Sequence, residues 1–154
     1  EEQKLPRVVS VQNPYNLVNR SYEVGMSEIS IREKSGLLAY SPLAAGYLTG
    51  KYRNNQIPKN SRMDLFYENY PRYHNERTYS AVDEYFNIAQ KNKISLTTLS
   101  QAFVNSRDFV TSNIIGATNM TQLKENIDSI NISLSENVIN DINLVHEKNP
   151  NPAP

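Results

Sequence analysis

The sequence predicts an α/β fold made of parallel strand–helix units, one sector of a (β/α)8 TIM barrel. Three observations carry this. Three short apolar runs each end in proline or a small residue. Segments with helical spacing lie between and after them. At 154 residues the chain is too short for a complete barrel of about 250 residues, and three strands make a poor open sheet by themselves.

The first strand is expected in Val8-Val9-Ser10-Val11-Gln12-Asn13-Pro14, the second in Leu37-Leu38-Ala39-Tyr40-Ser41-Pro42 and the third in Ile114-Ile115-Gly116-Ala117-Thr118. Near-continuous apolar runs suit strands buried on both faces, and proline cannot continue a central strand, so Pro14 and Pro42 mark two strand ends. Tyr22 to Lys34 places Val24, Ile29 and Ile31 on a rough apolar helical face, with Gly36 as its expected C′ residue. Tyr47 to Arg77 is polar, rich in tyrosine and without periodicity, as expected of a functional lid or a disordered loop. Helices are expected over Thr78–Asn92, with Val82, Tyr85, Phe86 and Ala89 on one face, and over Leu96–Ser106, with Leu99, Ala102 and Phe103. Asn119 followed by Gln122 resembles a capping box opening a helix to Ile130, and Ser135–His146 carries Val138, Ile139, Ile142 and Val145. Residues 1–148 are thus expected to form the folded part, with 149–154 an extended or disordered tail.

Composition narrows the functional class. Sixteen basic residues balance sixteen acidic ones, which argues against a nucleic-acid partner. There is no cysteine, so disulfides and Cys-based metal sites are excluded. No run of about 18 apolar residues exists to span a membrane. The opening Glu1-Glu2-Gln3-Lys4 is polar, unlike a signal peptide, and the cytoplasm is the expected location.

Two loops suit an anion. Ser41 to Lys51 offers a hydroxyl, small residues, Gly46, Gly50 and a lysine at a strand end, where barrel sites form. Gly116 to Gln122 opens a helix, whose free N–H groups and dipole favour negative charge. Neither is a Walker A or G-x-G-x-x-G motif, and each can equally be an ordinary turn and cap. Tyr47 and Lys51 form a Y-x-x-x-K pattern with no dinucleotide fingerprint before it, and His74 and His146 stand alone, without metal-ligand spacing.

Three blocks carry a family resemblance: Val11-Gln12-Asn13-Pro14-Tyr15-Asn16-Leu17-Val18-Asn19-Arg20, Leu38-Ala39-Tyr40-Ser41-Pro42-Leu43-Ala44 with Gly46, Gly50 and Lys51, and Ile115-Gly116-Ala117-Thr118 with Gln122-Leu123-Lys124-Glu125-Asn126-Ile127. In order and spacing they resemble the aldo-keto reductases, in particular the Tas-like bacterial branch related to potassium-channel β subunits, from Leu5 to the end. The resemblance implies that the strands are barrel strands six, seven and eight, and that the chain is the NADP(H)-binding C-terminal half of an oxidoreductase reducing aldehydes or ketones. By matched position, Gln12 would bind the nicotinamide carboxamide and Tyr40 would stack on its ring. Ser41, Pro42, Leu43 and Ala44 would line the pyrophosphate with Lys51 nearby. Arg62 would reach the 2′-phosphate, and Thr118, Gln122, Glu125 and Asn126 would hold the adenosine end. Gln122, Glu125 and Asn126 are spaced to share a helix face.

The family's general-acid tyrosine and its aspartate, lysine and histidine come from earlier strands and have no counterpart here, so no catalytic residue is assigned. Many members carry a lysine and an arginine near strand eight where this chain has Gly116 and Gln122, leaving Arg62 and Lys124 to supply charge. The expected partners are a small carbonyl substrate and an N-terminal half-barrel chain, or a second copy. A nucleotide-binding or regulatory module without turnover, and the product of a truncated gene, are the alternatives.

Overall fold

The computed structural model describes residues 5–154; the polar opening stretch lies outside the described residues. Three parallel strands, β1 (Ser10–Pro14), β2 (Gly36–Tyr40) and β3 (Val110–Ile114), form one sheet in the order β1-β2-β3. Helix α1 (Met26–Glu33) connects β1 to β2. Helices α2 (Arg62–Phe66), α3 (Glu76–Lys91) and α4 (Leu96–Asn105) connect β2 to β3, and α5 (Met120–Asp128) and α6 (Glu136–Lys148) follow. The α/β class and the parallel pairing agree with the sequence. None of the helices is long and apolar enough to cross a membrane.

Five helices start where a short polar side chain accepts a hydrogen bond from the N–H three residues on. The pairs are Ser61 with Asp64, Asn75 with Thr78, Ser95 with Thr98, Asn119 with Gln122 and Ser135 with Val138. Each satisfies an N–H that the helix itself cannot. At α5 the return bond of the expected capping box is displaced by one residue. Gln122 Oε1 accepts from the Thr118 N–H and hydroxyl at 2.9 and 3.0 Å.

The helices cover one face of the sheet. Leu37 and Ala39 are fully buried there against a core that includes Tyr15, Leu17, Leu99, Phe103 and Ile142. Register places Gln12, Leu38 and Ser112 in one row and Pro14, Tyr40 and Ile114 in another, all on the opposite face. That face is partly open: Gln12, Ser112 and Ile114 are exposed. The expectation of strands buried on both faces is therefore corrected, because the described residues cover the second face only in part.

Other expectations shift at the edges. Val8 and Val9 are exposed and precede β1. The third strand is Val110–Ile114, and Ile115–Thr118 is the loop after it. Its polar Thr-Ser-Asn interior hid it from an apolar pattern: β3 lies at the edge of the sheet, and Asn113 donates to Gln101 and Asn105 of α4 at 2.7 and 2.9 Å. The expected helix over Tyr22–Lys34 is interrupted at Gly25 (φ 95°), and the helix proper begins at Met26. Its apolar residues Val24, Ile29 and Ile31 face outward, while Ser30 is buried against the Tyr22 hydroxyl. Lys34, with φ 54°, ends α1; Gly36 is not its cap but starts β2. Glycine fits closely there: a Cβ would lie 1.7 Å from Thr111 Oγ1 and force that side chain to move.

The Tyr47–Arg77 segment is an ordered run of 3-10 turns and α2. Its tyrosines pack on each other: Tyr47 lies 5.0 Å from Tyr52, 5.3 Å from Tyr73 and 6.2 Å from Tyr79 between ring centroids. The segment lacks periodicity because its core is made by aromatic pairs rather than by one helix face. The tail after α6 has no helix or strand and is docked. Ala153 is buried and its N–H donates to Val18 O, while Pro152 O accepts from Asn75 and Thr78.

Candidate functional site

The C-terminal ends of the three strands open into three loops, the place where ligands collect on parallel sheets. The loop after β1, Tyr15–Arg20, is buried throughout. Tyr15 N–H donates to Tyr40 O at 3.2 Å, and Asn16 and Asn19 exchange backbone hydrogen bonds at 3.0 and 3.1 Å. Behind it Arg20 and Tyr15 both hydrogen-bond Glu23. Burial would raise the Glu23 pKa, but the bonds from Arg20 and Tyr15 outweigh it and hold the carboxyl below its ordinary range. Burial pushes the Tyr15 hydroxyl far up, with Glu23 adding to it, so this tyrosine stays protonated.

The loop after β2 is conformationally unusual. Ser41 (φ 55°), Ala44 (47°), Ala45 (56°) and Gly46 (101°) all sit at positive φ. Non-glycine residues there cost of order 1 kcal/mol each, and such strain gathers at functional sites. Leu43, at φ −101° and ψ 15°, precedes Ala44 of opposite hand. This reversal closes two tight turns, Ala44 N–H donating to Ser41 O at 2.9 Å and Gly46 N–H to Leu43 O at 2.8 Å, and draws the loop's small residues into a compact bend at the strand end. A Cβ on Gly46 would stand 3.2 Å from Lys51 Nζ, which places the ammonium against this loop. Lys51 makes no ion pair among the described residues. A strained loop at a strand end with an uncompensated cation on it fits a phosphate-bearing ligand.

Tyr40 ends β2 half-buried on the open face, one row beyond Gln12. Tyr73, which carries no signal in the sequence, is buried with its ring 6.4 Å from that of Tyr70. Burial raises its hydroxyl pKa, with Arg72 opposing the rise and Tyr40 adding to it. Arg62 is the exposed first residue of α2, 5.8 Å from the Tyr70 ring centre, and makes no ion pair among the described residues.

After β3 the expected residues divide. Thr118 and Gln122 are exposed and bonded to each other. Glu125 accepts from the Ser95 hydroxyl at 2.5 Å. Asn126 is buried, accepting from Gln101 at 3.0 Å and donating to Gly116 O at 3.1 Å. Asn126 thus shapes the loop from behind, while Thr118 and Gln122 form its open surface. Lys124 is paired with Asp128. The Tyr47 of the Y-x-x-x-K pattern is buried among tyrosines, and its hydroxyl pKa is raised mainly by that burial. A cavity of 220 Å³ behind the second loop, between Tyr47, Arg53, Glu76 and Tyr79, contains none of the expected ligand residues. No cluster of metal-ligating side chains exists among the described residues.

Comparison with known proteins gives a consistent picture. The model of the aldo/keto reductase family matches residues 1–147. The chain is 46% identical over 154 residues to Protein tas of Escherichia coli (strain K12), covering 100% of this chain and 44% of that protein. It is 36% identical over 121 residues to a probable voltage-gated potassium channel subunit beta of Oryza sativa subsp. japonica, covering 75% of this chain and 36% of that one. A glycerol dehydrogenase from Gluconobacter oxydans shares the fold, with a TM-score of 0.76 at 22% identity over 97% of this chain and 45% of its own. The chain therefore spans under half the length of each of these three proteins.

Proposed function

Because the chain belongs to the aldo/keto reductase family, we propose that it is the NADP(H)-binding portion of an oxidoreductase that reduces aldehydes or ketones. The observation that carries this is the Ser41–Gly46 loop, strained and facing the uncompensated Lys51 at the end of the strand that presents Tyr40. When bound, the cofactor supplies a hydride. The chain's own residues orient it. Gln12 holds the carboxamide and Tyr40 offers its ring as a stacking platform, both on the open face of the sheet. Ser41, Pro42, Leu43 and Ala44 line the diphosphate beside Lys51. Arg62 meets a 2′-phosphate, and Thr118 and Gln122 face the adenosine, with Glu125 and Asn126 fixing the loop under it.

The chain corresponds, in this reading, to strands six to eight of the barrel. The general acid and its supporting residues then lie on the other strands, and a small carbonyl substrate is held between the two parts. The outer edges of β1 and β3 carry no strand partner among the described residues. Exposed apolar residues gather beside them: Val8 and Val9 before β1, Ile29 and Ile31 on α1, Ile114 in β3, and Ile127 and Ile130 beyond it. Unpaired edges flanked by apolar surface call for a partner. An N-terminal half-barrel fits both edges, and a second copy is the other occupant to test. The cytoplasm is the compartment this reading implies.

Titration of the purified chain with NADPH, read by nicotinamide fluorescence with NADH beside it, tests the cofactor site. Saturable binding, tighter for NADPH, is expected; no binding by a folded chain overturns the site. Co-expression with a matching first half is expected to restore turnover. Binding without turnover under any pairing would favour a nucleotide-binding regulatory module instead.

A further inference from the structure

We infer that Asn16, a residue with no assigned role, is the positioning residue that holds the Ser41–Gly46 loop in its ligand-ready shape. The inference rests on reading that loop as the cofactor's phosphate seat.

Ser41 carries two conformational penalties at once. It is a non-glycine residue at φ 55°, and it precedes Pro42. A residue before proline is driven toward extended backbone with negative φ, because the proline ring crowds it. Left alone, this peptide would relax and carry the following residues with it. Something must over-determine it.

Two hydrogen bonds converge on the Ser41 carbonyl. One is local, from Ala44 N–H at 2.9 Å. The other comes from another strand's loop, from Asn16 Nδ2 at 2.9 Å. Asn16 is 1% exposed, so water cannot substitute for it. Its amide has one possible orientation: Oδ1 accepts from Val18 N–H at 3.0 Å, which leaves Nδ2 to face the carbonyl. Its backbone is locked to Asn19 in both directions, and the neighbouring Tyr15 N–H holds Tyr40 O. The loop after β1 therefore grips the last residue of β2 and the first residue beyond it. Asparagine is suited to this because it presents a donor and an acceptor from one short side chain. Aspartate has the same shape but no donor, and it would turn an oxygen toward the Ser41 carbonyl.

The test uses Asn16→Asp, Asn16→Ser, Ser41→Gly and the Asn16→Asp/Ser41→Gly double variant. Asn16→Ser shortens the side chain so that its hydroxyl falls short of the Ser41 carbonyl, buries no charge and serves if Asn16→Asp does not fold. Each asparagine variant is expected to weaken NADPH binding by about 10-fold or more, the scale of a lost buried hydrogen bond with an unpaired group left behind. Glycine at position 41 has no penalty at positive φ, so the double variant is expected to bind as tightly as Ser41→Gly alone. Binding unchanged in the asparagine variants overturns the inference, and so does a double variant in which the two losses add. A second readout needs no ligand. Exchange of the Ala44 amide, which bonds the Ser41 carbonyl, is expected to quicken while the amides of Leu99 and Phe103 keep their protection. A uniform rise across the chain would mark Asn16 as merely structural and overturn the inference. If the wild-type chain binds no NADPH, the cofactor reading fails, and Ala44 exchange still decides whether Asn16 holds the loop.

Discussion

Arg20 grips Glu23 through two parallel hydrogen bonds, Nε to Oε1 at 2.8 Å and Nη2 to Oε2 at 2.7 Å. The Arg20 side chain is only 8% exposed. The same guanidinium donates to Asn143 of α6 at 2.9 Å and lies 5.1 Å from the Phe103 ring centre, and the Arg20 N–H donates to Asn151 of the tail. Arg20 thus ties the loop after β1 to the C-terminal helix. Arg20→Ala leaves the half-buried Glu23 with the Tyr15 hydroxyl as its remaining partner and takes away the bond to Asn143. It is expected to lose about 3 kcal/mol of stability, read as the shift in urea denaturation.

Acid should unfold the chain in two stages. Burial lowers the pKa of His146, with Arg20 adding to the effect, and its Nδ1 has no hydrogen-bond partner. Burial also lowers His74. A histidine with a depressed folded pKa contributes stability that is present above its unfolded value and lost as pH falls below about 6.5. Glu23, also depressed, adds a loss that begins below about pH 4.3 and completes through its lower folded value. Thermal midpoints measured from pH 8 to 3 should fall in both windows. Glu23→Gln should flatten the lower one.

Gly36→Ala tests the closeness of β2 and β3. The added Cβ meets Thr111 Oγ1 at 1.7 Å and Thr111 Cβ at 3.0 Å. Rotation of the hydroxyl relieves only the first contact. A loss of about 1–3 kcal/mol is expected from urea denaturation. Thr111→Ala in the same chain should recover part of it, because the oxygen is then gone.

Removal of residues 150–154 takes away the acceptors of Asn75, Thr78 and the Arg20 N–H and the bond from Ala153 to Val18. At about 1 kcal/mol net per bond for these four bonds, a loss of roughly 4 kcal/mol is expected. A midpoint unchanged by the truncation would show the tail to be a passenger.

Lys51→Met and Arg62→Ala separate two charges by their effect on cofactor. Neither residue is in an ion pair among the described residues, so thermal midpoints should hardly move. Lys51→Met is expected to weaken NADPH and NADH alike, by about 10-fold, since both carry the diphosphate. Arg62→Ala is expected to weaken NADPH alone, measured by the same fluorescence titration.

Much of the fold is legible in the residues because it rests on local rules. Four of the five capping residues, Asn75, Ser95, Asn119 and Ser135, stand at or just before the ends of helices that apolar spacing located. Pro14 and Pro42 stopped two strands. The third strand was misplaced by four residues because its interior is polar, with Asn113 bonded to α4 and Thr111 and Ser112 exposed. Asn16, Tyr73 and the Arg20–Glu23 pair carried no signal, since their partners lie 25 residues or more away or depend on a loop turning back on itself.

By itself the sequence determined the parallel α/β class, the starts of α4, α5 and α6 and the family-like blocks around Gln12, Tyr40 and Thr118, because spacing, capping and glycine or proline placement act within a few residues. Only the tertiary structure decided which face of the sheet stays open, that Asn126 shapes a loop from behind while Thr118 and Gln122 face outward, and that a strained Ser41 is held by Asn16. Those outcomes depend on which buried donors and acceptors meet once the strands pair, and no local pattern encodes that.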